Sequence, residues 1–186
     1  SDNTLKIILS FISEESPEGV KIVNPQHLHS IFSIPEKHII IPYFYNICNN
    51  STNNCIILSK YKIPYLLIEN YDLYGESKDY FNLLKCLLKT QFTADLFENI
   101  IKFLTENYQL LELFFEFFLD LIKSSTSFHN VISENLFMTL VLFDNRRLFI
   151  YDFNENNGYS VYSERILNFY KNAFKLSAKI EKSFIQ

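Results

Sequence analysis

Apolar positions recur every three to four residues through the middle of the chain. Tyr80, Leu83, Leu84, Leu87 and Leu88 fall on one face, the 3.6-residue period of an amphipathic helix. Ser77 is the expected N-cap, and Asp79 complements the helix dipole in the first turn. Thr93 is expected to cap a second helix carrying Phe97, Ile100, Ile101 and Leu104. A third follows over 108–123, so three consecutive helices are expected at the centre. Nearer the start, Leu5, Ile8, Leu9 and Ile12 predict a short helix over 2–12, and Ser16-Pro17-Glu18-Gly19 ends it. Residues 25–32 fit another short helix, with Pro25 in its first turn.

Elsewhere the pattern shortens. Ile39-Ile40-Ile41-Pro42 leads into an aromatic stretch, and the polar run Asn49-Asn50-Ser51-Thr52-Asn53-Asn54 is an expected loop. Runs 55–58 and 63–68 predict two core strands, with Pro64 marking the start of the second. Residues 136–143 are uninterruptedly apolar, as in a strand covered on both faces. Asp144-Asn145-Arg146 supplies a turn, and 148–153 returns with Phe149, Tyr151 and Phe153 on one side. A short third strand over 159–162 precedes a helix opened by Ser163 and Glu164 and reaching about Phe184. The expected fold is α/β, with a mixed α+β arrangement also open. It comprises a small central sheet flanked by helices, with a C-terminal β-hairpin followed by a long amphipathic helix. No internal repeat is visible, and 1–186 reads as one domain.

Composition narrows the class. Hydrophobic residues make up 48% of the chain and charged residues 20%, enough burial to offset the entropy of ordering. The 19 Phe and 12 Tyr, with no Trp, read as the codon usage of an AT-rich genome more than as an aromatic site. A net charge of -4 argues against a nucleic-acid surface, which needs concentrated cations. Cys48, Cys55 and Cys86 form an odd set without CxxC spacing, fitting neither a disulfide framework nor a zinc site, so reduced cytoplasm is the expected compartment. The apolar run 110–122 is interrupted by Glu112, Glu116 and Asp120 and is too short to span a bilayer, and no signal segment opens the chain, so no membrane role is expected. Because the chain begins on Ser1, a piece cut from a longer protein is expected.

Candidate chemistry is sparse. Glu112, Glu116 and Asp120 stand at i, i+4 and i+8, a stripe that is either a solvated helix face or a surface for a cation or a basic partner. On the terminal helix Lys171, Lys175, Lys179 and Lys182 share an arc opposite Ile166, Phe169, Ala173, Leu176, Ile180 and Phe184. That apolar side packs on its own sheet or forms a dimer seam. The basic arc of one copy is a candidate to meet the acidic stripe of another. His27 and His29 lack further ligands at metal spacing, and no metal or cofactor is expected. His129 near Ser127 and Ser133 makes a nucleophile and base on paper, without a GxSxG elbow. Only Gly19, Gly75 and Gly158 are present, too few for a GxGxxG turn or a P-loop. Phe149, Tyr151 and Tyr159 are the candidate lining of a pocket for an apolar or planar ligand, or else an ordinary core side.

The stretch 136–184, with the turn Phe143-Asp144-Asn145-Arg146-Arg147, the return strand Leu148-Phe149-Ile150-Tyr151, then Gly158-Tyr159-Ser160-Val161-Tyr162 and a helix through Phe169, Tyr170 and Phe174, resembles the end of effector-sensing domains in bacterial transcription regulators of the phospholipase-D-like and sugar-sensing groups. It departs from the phosphodiesterase signature of those groups, since His129 is followed by Asn130, Val131 and Ile132 without a lysine. The resemblance implies a catalytically silent ligand-sensing or protein-interaction domain, with a small-molecule effector and a homodimer as candidate partners. The alternatives are a hydrolase built from scattered residues, using His129 or one of the three carboxylates, and a structural adaptor.

Overall fold

A computed structural model describes residues 3, 6, 13–16, 19–22, 28, 30–32 and 36–135. They divide between two compact units, Ser1–Gln91 and Phe92–Gln186. The expected hairpin at 136–153, the strand at 159–162 and the terminal helix lie outside the described residues, as does nearly all of the expected 2–12 helix.

In the first unit, β1 (Ser13–Ser16) and β2 (Gly19–Ile22) form an antiparallel pair with Ser16 opposite Gly19. Leu28, Ser30 and Ile31 are helical, and the helices described from residue 36 onward are α1 (Lys37–Asn49), α2 (Thr52–Lys60), α3 (Ile63–Glu69), α4 (Tyr71–Tyr74) and α5 (Tyr80–Thr90). The apolar face read for α5 is buried at all five positions, each worth about 1.5–3 kcal/mol for a large apolar side chain. The helix packs along α1 and α2, and β2 lies against α2. Its N-cap is Asp79 rather than Ser77, whose carbonyl accepts from the Tyr80 N–H at 3.0 Å.

Here the expected α/β class is overturned. Among the described residues β1 and β2 are the only strands, and no central sheet is present. Both upstream runs read as core strands are helical. In 55–58, Cys55 and Leu58 are buried while Ile56 is 47% exposed, a three-residue step; a strand would have set 55 with 57 and 56 with 58. Ser51 explains the helix start: its hydroxyl accepts from the Asn54 N–H at 3.3 Å, so three residues of the expected loop become the first turn of α2. In 63–68 the buried positions are Ile63, Pro64, Leu67 and Ile68, again one helix face. Pro64 sits in the first turn of α3, where its missing N–H leaves no bond unmade. A four-residue apolar run satisfies either period, and the caps decide between them. Residues 39–42 likewise belong to α1, which carries Pro42 in its interior.

The second unit contains α6 (Ala94–Glu106), a 3-10 turn (Tyr108–Leu110), α7 (Leu111–Ser124) and α8 (Thr126–Glu134). Thr93 caps α6 as expected, accepting from the Leu96 N–H at 3.3 Å. The residues read onto its apolar face, Phe97, Ile100, Ile101 and Leu104, are buried. Ser125 caps α8 by the same device, accepting from the Phe128 N–H at 3.3 Å. The core is phenyl-rich: Phe128 packs on Phe92 at 4.6 Å and Phe118 at 5.7 Å between ring centroids, and Phe118 reaches Phe114 at 5.9 Å.

Candidate functional site

Among the described residues the place where chemistry-bearing side chains from separate helices converge is the junction of α1, α2 and α5. A helix ends with carbonyls that lack partners, and two at the end of α1, those of Ile47 and Cys48, accept from residues at the start of α2. The buried Asn54 donates its Nδ2 to the Ile47 carbonyl at 2.9 Å. The Cys48 carbonyl accepts from the Ser51 N–H at 3.2 Å and from the Cys55 thiol at 3.3 Å. Cys48 is 3% and Cys55 2% exposed. From α5, Thr90 donates its hydroxyl to the Cys86 carbonyl at 2.9 Å, one turn back on its own helix. Cys86 is partly exposed, and all three cysteines are free thiols.

The sulfurs of Cys48 and Cys55 titrate jointly. Cys55 is held below the usual thiol value, first by the Cys48 thiol donating to it and then by the Thr90 hydroxyl, with burial opposing both. Cys48 moves up, because Cys55 is its hydrogen-bond partner and because burial disfavours its charge. The thiol form of Cys55 is the one that donates to the Cys48 carbonyl. Thr90 has one hydroxyl proton, and on losing its own proton Cys55 competes with the Cys86 carbonyl for it. Cys86 is raised by burial and by the neighbouring Cys55, with Lys89 and Lys85 pulling the other way.

The residues singled out from sequence are scattered. Glu116 and Asp120 lie on the exposed side of α7, together with Leu113, which is 46% exposed. Glu112 is on the same helix, its side chain outside the described set. Phe149, Tyr151, Tyr159, Lys171, Lys175 and Lys179 are outside the described residues, as are His27 and His29. His129 is buried on α8, and Ser127 is half-buried, its hydroxyl 3.1 Å from that of Ser125. Among the described residues no group of three or more His, Cys, Asp or Glu side chains is arranged to hold a metal ion, and no helix is long and apolar enough to cross a membrane.

CxxC spacing does not mark these cysteines in the sequence. The available signal was their separation of seven across a polar link: once 52–54 is the start of a helix, a residue in the last turn of one helix and one in the first turn of the next face each other. No family model matches the chain, and no curated protein or solved structure shows significant similarity to it.

Proposed function

We propose that this chain is a regulatory module that acts by binding another protein, and that the outer face of α7 is its contact surface. The reading is supported by one observation above all: Leu113 is 46% exposed on the side of α7 that also carries Glu116 and Asp120. The opposite side buries Leu111, Phe114, Phe118, Leu121 and Ile122. The phenyl-packed side holds the helix in place, and the outer side offers an apolar anchor flanked by carboxylates. An anchor of this kind supplies affinity, and the charges around it supply orientation and choice of partner.

The matching partner is an amphipathic helix with lysines beside an apolar stripe. The pattern Lys171, Lys175 and Lys179 in a second copy of this chain has that chemistry. Under this reading, the likeness of 136–184 to effector-sensing domains points to a module in which a small molecule biases the association. Native mass spectrometry of the full chain tests it. A homodimer is expected, and Glu116→Lys combined with Asp120→Lys should weaken it at least tenfold, as should Leu113→Ser. A wild-type chain that stays monomeric, or a dimer indifferent to both variants, would refute the second-copy assignment.

A further inference from the structure

Cys48 and Cys55 have no part in the binding surface on α7, yet the fold brings them together with unusual economy. They stand at the two ends of one helix junction, the Cys55 sulfur lies 3.3 Å from the Cys48 carbonyl oxygen, and both side chains are buried. We propose that Cys48 and Cys55 are a redox pair that closes to a reversible disulfide when the protein meets hydrogen peroxide.

The chemistry balances with that one oxidant. The Cys55 thiolate attacks one peroxide oxygen, the O–O bond breaks, and the departing hydroxide takes up a proton to leave as water. Cys55 is then a sulfenic acid. The Cys48 sulfur attacks the Cys55 sulfur, its own proton leaves with the hydroxyl as a second water, and the S–S bond forms. Two thiols lose two electrons, and one peroxide becomes two waters. Cys55 is the nucleophile because hydrogen bonds from Cys48 and Thr90 favour its thiolate. Burial of both sulfurs favours a small oxidant over a bulky disulfide.

Closing the bond would cost the junction little. The Cys48 carbonyl loses the Cys55 thiol donor but keeps the Ser51 N–H at 3.2 Å, and the Asn54 bond to the Ile47 carbonyl at 2.9 Å is untouched. The product is a covalent brace between α1 and α2. Cys86 lies near enough for the Cys55 charge to raise its pKa, and it is the competitor for any bridge.

The test uses the full chain, oxidised with hydrogen peroxide, alkylated and cleaved with trypsin without reduction. Cleavage after Lys37 and Lys60 leaves Cys48 and Cys55 on one fragment, 38–60, while Cys86 falls on 86–89 after Lys85. The expected product is fragment 38–60 lighter by two hydrogens and restored by dithiothreitol, with titratable thiols falling from three to one. Cys86→Ser should leave that product unchanged, and Cys48→Ser should abolish it and leave sulfenic acid on Cys55. Joined 38–60 and 86–89 fragments, irreversible oxidation of single sulfurs, or three unreacted thiols would each overturn the proposal. The wild-type map decides by itself if a serine variant fails to fold.

Discussion

The two units bury similar aliphatic residues but secure their cores differently. In Ser1–Gln91 the core is tied by side chains that reach across to named carbonyls: Tyr74 to Phe32, Tyr80 to Leu67 at 3.0 Å, Asn54 to Ile47 and Cys55 to Cys48. In the described part of Phe92–Gln186 the large core rings are phenylalanines, meeting at centroid distances from 4.6 to 6.2 Å. A phenyl contact asks for volume and little else. A buried hydroxyl asks for one acceptor in one place, because leaving either group unsatisfied costs more than the bond contributes. The first unit should therefore be sensitive to the identity of single atoms, and the second to volume.

Removing a ring should have the largest effect. Phe118 touches Phe114, Phe117 and Phe128, so Phe118→Ala should destabilise the second unit by about 3–5 kcal/mol. Phe118→Leu should cost well under half of that. Hydrogen exchange resolved to α7 and α8 measures both, and equal losses would break the contrast.

Next comes a single oxygen. Tyr80→Phe keeps the ring in place and removes the donor to the Leu67 carbonyl, and should cost the first unit about 1–3 kcal/mol in a denaturant titration. A change of a few tenths would mean that the hydroxyl is incidental.

The same tyrosines predict a pH dependence. Burial pushes Tyr80 above its ordinary value of 10.0, and burial with the Glu36 charge takes Tyr74 up to about 12. An acid whose folded pKa is raised binds its proton more tightly in the folded state. Its contribution is full below pH 10 and is lost as pH rises through the window from 10 towards 12 and beyond. The exchange-derived stability of α5 should fall across that window, more steeply than that of α6 and α7, and Tyr80→Phe should flatten the fall.

The smallest effect concerns backbone strain. Lys62 precedes α3 with φ at 59°, in the left-handed region that favours glycine. Its ammonium, 5.8 Å from the Tyr65 ring centroid, offsets part of that strain. Lys62→Gly should raise the stability of the first unit by less than about 1 kcal/mol. A clear loss would show that the cation–ring contact outweighs the strain.

Legibility in the sequence followed the length of the pattern. α5 and α6 each repeat their apolar period over three turns, and the residues assigned to their inner faces are the ones buried. Thr93 was readable as a cap because it precedes a long run. α8 is not legible in the sequence, since 126–134 offers Phe128, Val131 and Ile132 among polar residues, too little to fix a period without its cap. The strands placed at 55–58 and 63–68 failed for the same reason. The candidate binding face was half legible: Glu116 and Asp120 stood out, but the exposure of Leu113 beside them did not, because an apolar residue in an apolar run carries no mark of which way it faces.

From the sequence alone came the three central helices, their inward faces and the acidic stripe, all local properties of spacing along one chain. Tertiary structure decided which side of the short apolar runs was buried, Cys55 and Leu58 in one and Ile63, Pro64, Leu67 and Ile68 in the next. It also decided that Cys48 and Cys55 would meet. Spacing along a helix is fixed by its geometry, whereas neighbours across helices depend on how the connecting turns aim them, and that direction is set by packing and capping together.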